Sequence, residues 1–233
     1  MTTTRSHRGT VPRADTEGPG GSRDRSVAGL LLLVAGSAVV LGIMTAEALY
    51  PVAYDVHDDT VSDLAAMRPD DIVRQPSAAI FNTTMIVGGL LIGFAAVLLY
   101  RSRAGLRAVI PVVGLGVGMV GVGVFPGNTV MAVHQLVSIA TFVSGGLAAI
   151  LTARLTSPML RPVHLLLGGI ALTFLVGYTA LPDLAFFARL GEGGVERWIV
   201  YPVVLWIVVL GAALAGRSRD DSRPTGPHER NPR

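Results

Sequence analysis

Polar side chains almost vanish from six stretches of the chain, at residues 27–46, 80–100, 108–125, 132–153, 163–181 and 198–215. Each is close to the ~20 residues with which an α-helix crosses ~30 Å of hydrocarbon. None shows the alternation of a membrane-barrel strand, and an isolated strand would leave its backbone groups unpaired in lipid. The pattern predicts an all-α fold, a bundle of six transmembrane helices. The connections "RSRAGLR" (101–107) and "RLTSPMLRP" (154–162) are short, so consecutive helices should pack as antiparallel hairpins. The odd-numbered helices exit alike, through "LYP" at 49–51, "VFP" at 124–126 and "ALP" at 180–182. Proline there stops a helix and pushes the residue before it toward extended backbone. Gly88-Gly89 and Gly145-Gly146 in helices two and four hint at a degenerate hairpin repeat.

Charge placement orients this bundle. The chain has no lysine, and the two ends and even-numbered connections hold fifteen of its nineteen arginines. The other side has only Arg68, Arg74, Arg189 and Arg197. By the positive-inside rule both termini are expected in the cytoplasm, which makes residues 50–79 a long external loop. The formal charge of +3 then reflects topology. No aromatic residues are interleaved with the basic ones, and nucleic acid is not an expected partner.

Apolar residues make up 51% of the chain and charged ones 15%, against roughly a quarter charged in soluble domains. The setting is therefore a membrane, taken to be the cell (plasma) membrane, with its lipids as the first partners. Residues 1–26 and 217–233 are rich in Arg, Thr, Gly and Pro and are expected to be disordered tails around a single domain at 27–216. Ala46-Glu47-Ala48 has the form of a signal cleavage site, but the apolar stretch before it exceeds the ~7–15 residues of a signal core. An uncleaved first helix is expected. With no cysteine, disulfides, thiol catalysis and cysteine metal sites are excluded.

Several motifs have a plainer reading than their letters suggest. "GVGMVG" (116–121) matches a dinucleotide fingerprint, but no strand precedes it and no acidic residue follows at the required distance. Gly114 and Gly118 are better explained as small residues that admit a neighbouring helix. In "TVSDL" (60–64), Thr60 is placed to cap a short helix and Asp63 to reach back to it, while Ser62 or Asp63 could instead serve a ligand or reaction. His57 among Asp55, Asp58 and Asp59, with His134, has the residue types of a metal site but no rigid ligand spacing. A solvated acidic loop is its simpler reading, and no metal or cofactor is expected. His134 and His164 fall at opposite faces of the bilayer and cannot share a haem.

The stretch "RLGEGGVERWIVYPVVLW" (189–206) has charged residues at the entry to an apolar run. Trp198 and Tyr201 suit an aromatic belt, and Pro202 suits a first helical turn. An arginine at a membrane entry must reach water or find a partner. Neighbours on a helix point about 100° apart, so Glu196 cannot serve Arg197. Arg197 is expected to turn back to a carboxylate of another segment, Asp63 or Glu47, with His134 in the same cluster. The candidate external site thus comprises Glu47, Ser62, Asp63, Asn82, His134, Asp183, Glu196 and Arg197.

"YP" with "SDL" after helix one, "IFN" at 80–82, "VGVFPGN" followed by His134, and "GGVERWIVYPVVLW" resemble the domain-of-unknown-function 998 family of six-helix prokaryotic membrane proteins. The resemblance covers residues 27–216. That family usually has Gly after "SDL", where this chain has Ala65. It implies the fold and an external polar constellation, and no particular activity. A fainter likeness, "S-D…P…IF", is to Frag1/DRAM/Sfk1-type membrane proteins. No ionisable residue lies in the middle of any apolar run, which disfavours ion-coupled transport. Two readings of function are left. One is a non-enzymatic protein that binds a lipid or a partner protein at its external rim. The other is an outward-facing lipid hydrolase or transferase using His134 with Asp63 or Glu196.

Overall fold

A computed structural model describes residues 19–216: residues 19–26 of the expected first tail are helical, while the rest of that tail, 1–18, and the expected tail at 217–233 lie outside the described residues. Six long helices follow one another: α1 (Pro19–Ala48), α2 (Ser77–Arg101), α3 (Leu106–Val124), α4 (Met131–Thr152), α5 (Arg161–Ala180) and α6 (Ala185–Gly216). All six are long and apolar enough to cross a membrane. Among the described residues there is no strand, only an isolated bridge between Met67 and Ile72. Each helix packs on its neighbours in sequence, and α6 closes the ring onto α1.

Two helices begin well before their apolar runs, by eight residues in α1 and thirteen in α6. α1 already starts at Pro19, where Asp24 is ion-paired with Arg101 of α2 at 3.2 Å, so polar residues join the helix before the hydrocarbon-facing part. α6 starts at Ala185 and bends at Gly191, whose φ of 69° lies in the left-handed region that glycine enters without strain. Pro202 is consequently deep within α6, not in its first turn. Its ring leaves the Trp198 carbonyl without its usual helical donor.

Helices in lipid gain little from the hydrophobic effect between them, so close approach and satisfied polar groups carry the packing. Gly114 and Gly118 of α3 face Ser144 and Thr141 of α4 so tightly that a Cβ at either would meet those side chains. On α6, buried Trp206 donates to Thr152 Oγ1 of α4 at 3.1 Å, and that hydroxyl donates in turn to the Ala148 carbonyl at 2.7 Å. His164 is buried at the start of α5, at the opposite end of the bundle from His134. The segments at 49–76, 125–130 and 181–184 all fall at His134's end, the mouth end.

Candidate binding site

Two glycines let the first connection lie across the entry of α6. Gly193 N–H donates to the His57 carbonyl at 2.9 Å, and a Cβ at Gly191 or Gly193 would run into the carbonyls of His57 or Asp59. Arg197 fastens the same contact. Its Nη1 sits among the carbonyl oxygens of Val56, Asp59 and Gly193 at 3.0, 2.9 and 2.9 Å. Its Nη2 donates to Glu47 at 2.8 Å and to the Tyr54 hydroxyl at 2.9 Å. The Tyr54 O–H in turn donates to the Thr60 carbonyl at 2.8 Å. Burial pushes the Tyr54 phenol well above its ordinary value, which keeps that donor in place.

Arg197 therefore does turn back to a carboxylate, and it is Glu47. Asp63 has a different partner, Arg68, whose Nε donates to it at 3.0 Å. Arg68 also reaches Glu192 at 3.2 Å. Asp63 Oδ2 takes hydrogen bonds from both the N–H and the hydroxyl of Thr60, each at 2.7 Å, at the start of the 3-10 helix Val61–Leu64. Burial of Asp63 works to raise its pKa, but the bonds from Arg68 and Thr60 outweigh it and hold the carboxyl below its usual value. The free N–H groups opening that 3-10 helix are capped from another element. Glu196 Oε2 accepts from Val61 at 2.5 Å and Ser62 at 3.4 Å.

Glu196 and Arg197 thus diverge, Arg197 toward α1 and the loop, and Glu196 toward a cavity of about 330 Å³. The cavity has two parts. Asp63, Arg68, His134, Gln135, Glu192 and Glu196 form a polar mouth, and Ile139, Phe142, Leu175, Val195 and Ile199 form an apolar floor. Ile139 lies eight residues into α4, about 12 Å from its start at 1.5 Å per residue. It is 54% exposed and lines the cavity, which is therefore open sideways toward the hydrocarbon. Beneath it is a second void of about 70 Å³ among the helices, sharing Ser62, Ser138, Phe142 and Glu196 as walls. Phe174 stacks on Trp198 beside this opening at 5.1 Å, with Phe186, Phe187 and Tyr178 around them in the aromatic belt of the mouth end.

The expected site residues divide. Ser62, Asp63, His134 and Glu196 share the cavity wall. Glu47 and Arg197 form the adjoining network, with Arg197 side chain 11% exposed and Glu47 22%. His134 lies by Asp63 and Glu196 at the cavity and not among the partners of Arg197, because α4 enters on the far side of α6. Its Nδ1 is 2.8 Å from the Phe125 carbonyl, an acceptor only, so Nδ1 carries the proton. Asn82 and Asp183 line no part of the cavity. Asn82 Oδ1 is buried with no partner among the described residues, and Asp183 is exposed in the α5–α6 connection. Ser62 Oγ is 3.0 Å from Thr60 Oγ1, and among the described residues no histidine is hydrogen-bonded to it as a base. His57 Nδ1 contacts exposed Asp58 at 2.5 Å, and among the described residues no three His, Asp or Glu side chains converge on a metal position. Arg68, Glu192 and Tyr54 belong to the site although their types and spacing do not single them out, and Thr60, expected as a helix cap, caps through Asp63 and lines the cavity as well. The shortage of cations on this side was the available signal for Arg68.

Fold and site together define a multi-pass membrane protein with six spanning helices and a cleft at one end. Residues 33–213 match the profile of the family described as "Protein of unknown function (DUF998)", and the chain belongs to that family. No curated protein and no solved structure matches it.

Proposed function

We propose that this protein holds a membrane lipid in the cavity between α4, α5 and α6, its headgroup at the polar mouth and its chain along the apolar floor. The observation that carries this reading is the two-part lining. A soluble metabolite has no use for a floor of Ile139, Phe142, Leu175 and Ile199 that opens sideways, and a lipid in plain bilayer has none for Asp63, His134 and Glu196. Taken with the arginine bias, the mouth faces the outside of the cell membrane and both termini the cytoplasm. A protein partner at the same face is compatible with the exposed rim but would leave the apolar floor unexplained.

The test is native mass spectrometry of gently extracted protein, comparing wild type with Ser138→Phe. Ser138 lines both the cavity and the void beneath it, so the added ring fills the space where a chain would lie. Retained lipid in wild type and its loss in a folded Ser138→Phe is the expected pair of results. Equal retention in both would refute the reading.

The ring orientation of His134 favours one rival. With Nδ1–H held by Phe125, Nε2 is the basic nitrogen, as a general base in a lipid hydrolase or transferase requires. On that reading wild type converts the bound lipid on incubation and His134→Gln retains it intact. On the binding reading neither changes it.

A further inference from the structure

Glu196 occupies an unusual position among the charged groups of the mouth. Asp63 and Glu192 both pair with Arg68, whose Nε and Nη2 are taken up by them and by Thr60. Glu47 pairs with Arg197, which points away from the cavity. Glu196 has no ion pair among the described residues, and the chain offers no lysine that could supply one. Both of its backbone hydrogen bonds fall on Oε2, which leaves Oε1 for a group in the cavity. Across the lining, three carboxylates face one guanidinium.

Resting on the lipid reading above, we infer that the cavity selects a lipid whose headgroup bears a primary ammonium. A half-buried carboxylate with no ion pair of its own, beside an Arg68 already held by Asp63 and Glu192, favours a ligand that brings a cation, and a primary ammonium also donates the hydrogen bond that Oε1 can accept. A quaternary ammonium brings charge but no N–H. An anionic headgroup would add a like charge to a lining already dominated by carboxylates, and a neutral glyceride would leave Glu196 uncompensated. The expected order is phosphatidylethanolamine first, phosphatidylcholine second, phosphatidylglycerol and diacylglycerol last.

The experiment offers full-length protein in detergent an equimolar mixture of the dioleoyl forms of these four lipids and reads bound species by native mass spectrometry. Wild type should retain phosphatidylethanolamine roughly tenfold over phosphatidylglycerol, the ratio that one charge-assisted contact of about 1.4 kcal/mol produces. Glu196→Gln keeps a carbonyl oxygen for Val61 and Ser62 while removing the charge, and should cut that ratio severalfold without abolishing retention, whereas an unchanged ratio would overturn the preference. Asp183→Asn, exposed and outside the cavity, should leave it unchanged. If Glu196→Gln does not fold, exposed Glu192→Gln takes its place, with a smaller fall in the same direction expected. Displacement by soluble glycerophosphoethanolamine would show that the site reads the amine whether or not a chain is attached, and lack of displacement would assign recognition to the lipid. In either case the amine preference stands. Equal retention of all four lipids by wild type, with release from Ser138→Phe, overturns the amine preference and leaves the lipid reading standing. Retention insensitive to Ser138→Phe overturns both.

Discussion

Removing Arg197 tests how the mouth is held together, and the structure sets the size of the effect. A buried ion pair broken on one side loses about 3–5 kcal/mol, whereas a solvated pair is worth about 1 or less. The side chain of Arg197 is 11% exposed and that of Glu47 22%, so this pair is nearer the first case. Arg197→Ala would strand Glu47 and the Tyr54 hydroxyl and deprive the carbonyls of Val56, Asp59 and Gly193 of their donor, a loss of about 3 kcal/mol. Glu47→Ala is milder, about 1–2 kcal/mol, because Arg197 keeps Tyr54 and three carbonyls. Since the two side chains touch, the double mutant should be more stable than the sum of the single losses predicts, by about 1–1.5 kcal/mol. Equilibrium unfolding in mixed micelles, run on all four proteins, measures each term. Additivity within about 0.5 kcal/mol would mean that the pair contributes nothing and that the loop is docked by other means.

Other perturbations have equally definite outcomes. Gly193→Ala puts a methyl group against the Asp59 carbonyl, so limited proteolysis should cut the 50–60 segment much faster than in wild type, and an unchanged rate would contradict the docking. The Asp63 carboxyl is held below its ordinary value, so its stabilisation is complete above its unfolded pKa of about 4 and is lost as pH falls toward the lower folded value. Wild type should therefore lose stability on acidification below about pH 4, and Asp63→Asn should lose less across that window. The chain has no cysteine, so Asp58→Cys and Leu106→Cys, both at exposed positions, are clean topology reporters. An impermeant thiol reagent applied to intact cells should label residue 58 and not residue 106, and the reverse would invert the orientation.

The six helices were legible because lipid removes alternatives: a run of ~20 apolar residues has one way to satisfy its backbone. The start of α6 was not, since Ala185–Gly191 is mixed in character and packs through Phe187 on Phe174 and Tyr178, contacts that the sequence pattern does not show. The Arg197–Glu47 contact could be foreseen in kind from the penalty on an unpaired arginine near hydrocarbon, but the choice between Glu47 and Asp63 rested on where the 50–76 segment runs. That path is set by contacts distant in sequence, such as Glu196 capping Val61, and spacing does not encode it. For the same reason spacing does not assign Arg68 to this cluster, and it does not separate Asn82 and Asp183 from residues that they do not join.

Whether the cavity below Glu196 seats a lipid is decided by a structure of the wild-type protein reconstituted in nanodiscs of its host's own lipids. Headgroup density within hydrogen-bond distance of Glu196 Oε1 and a chain running past Ile139 and Phe142 are the expected result. A cavity closed by its own side chains, or occupied by water alone, would contradict it.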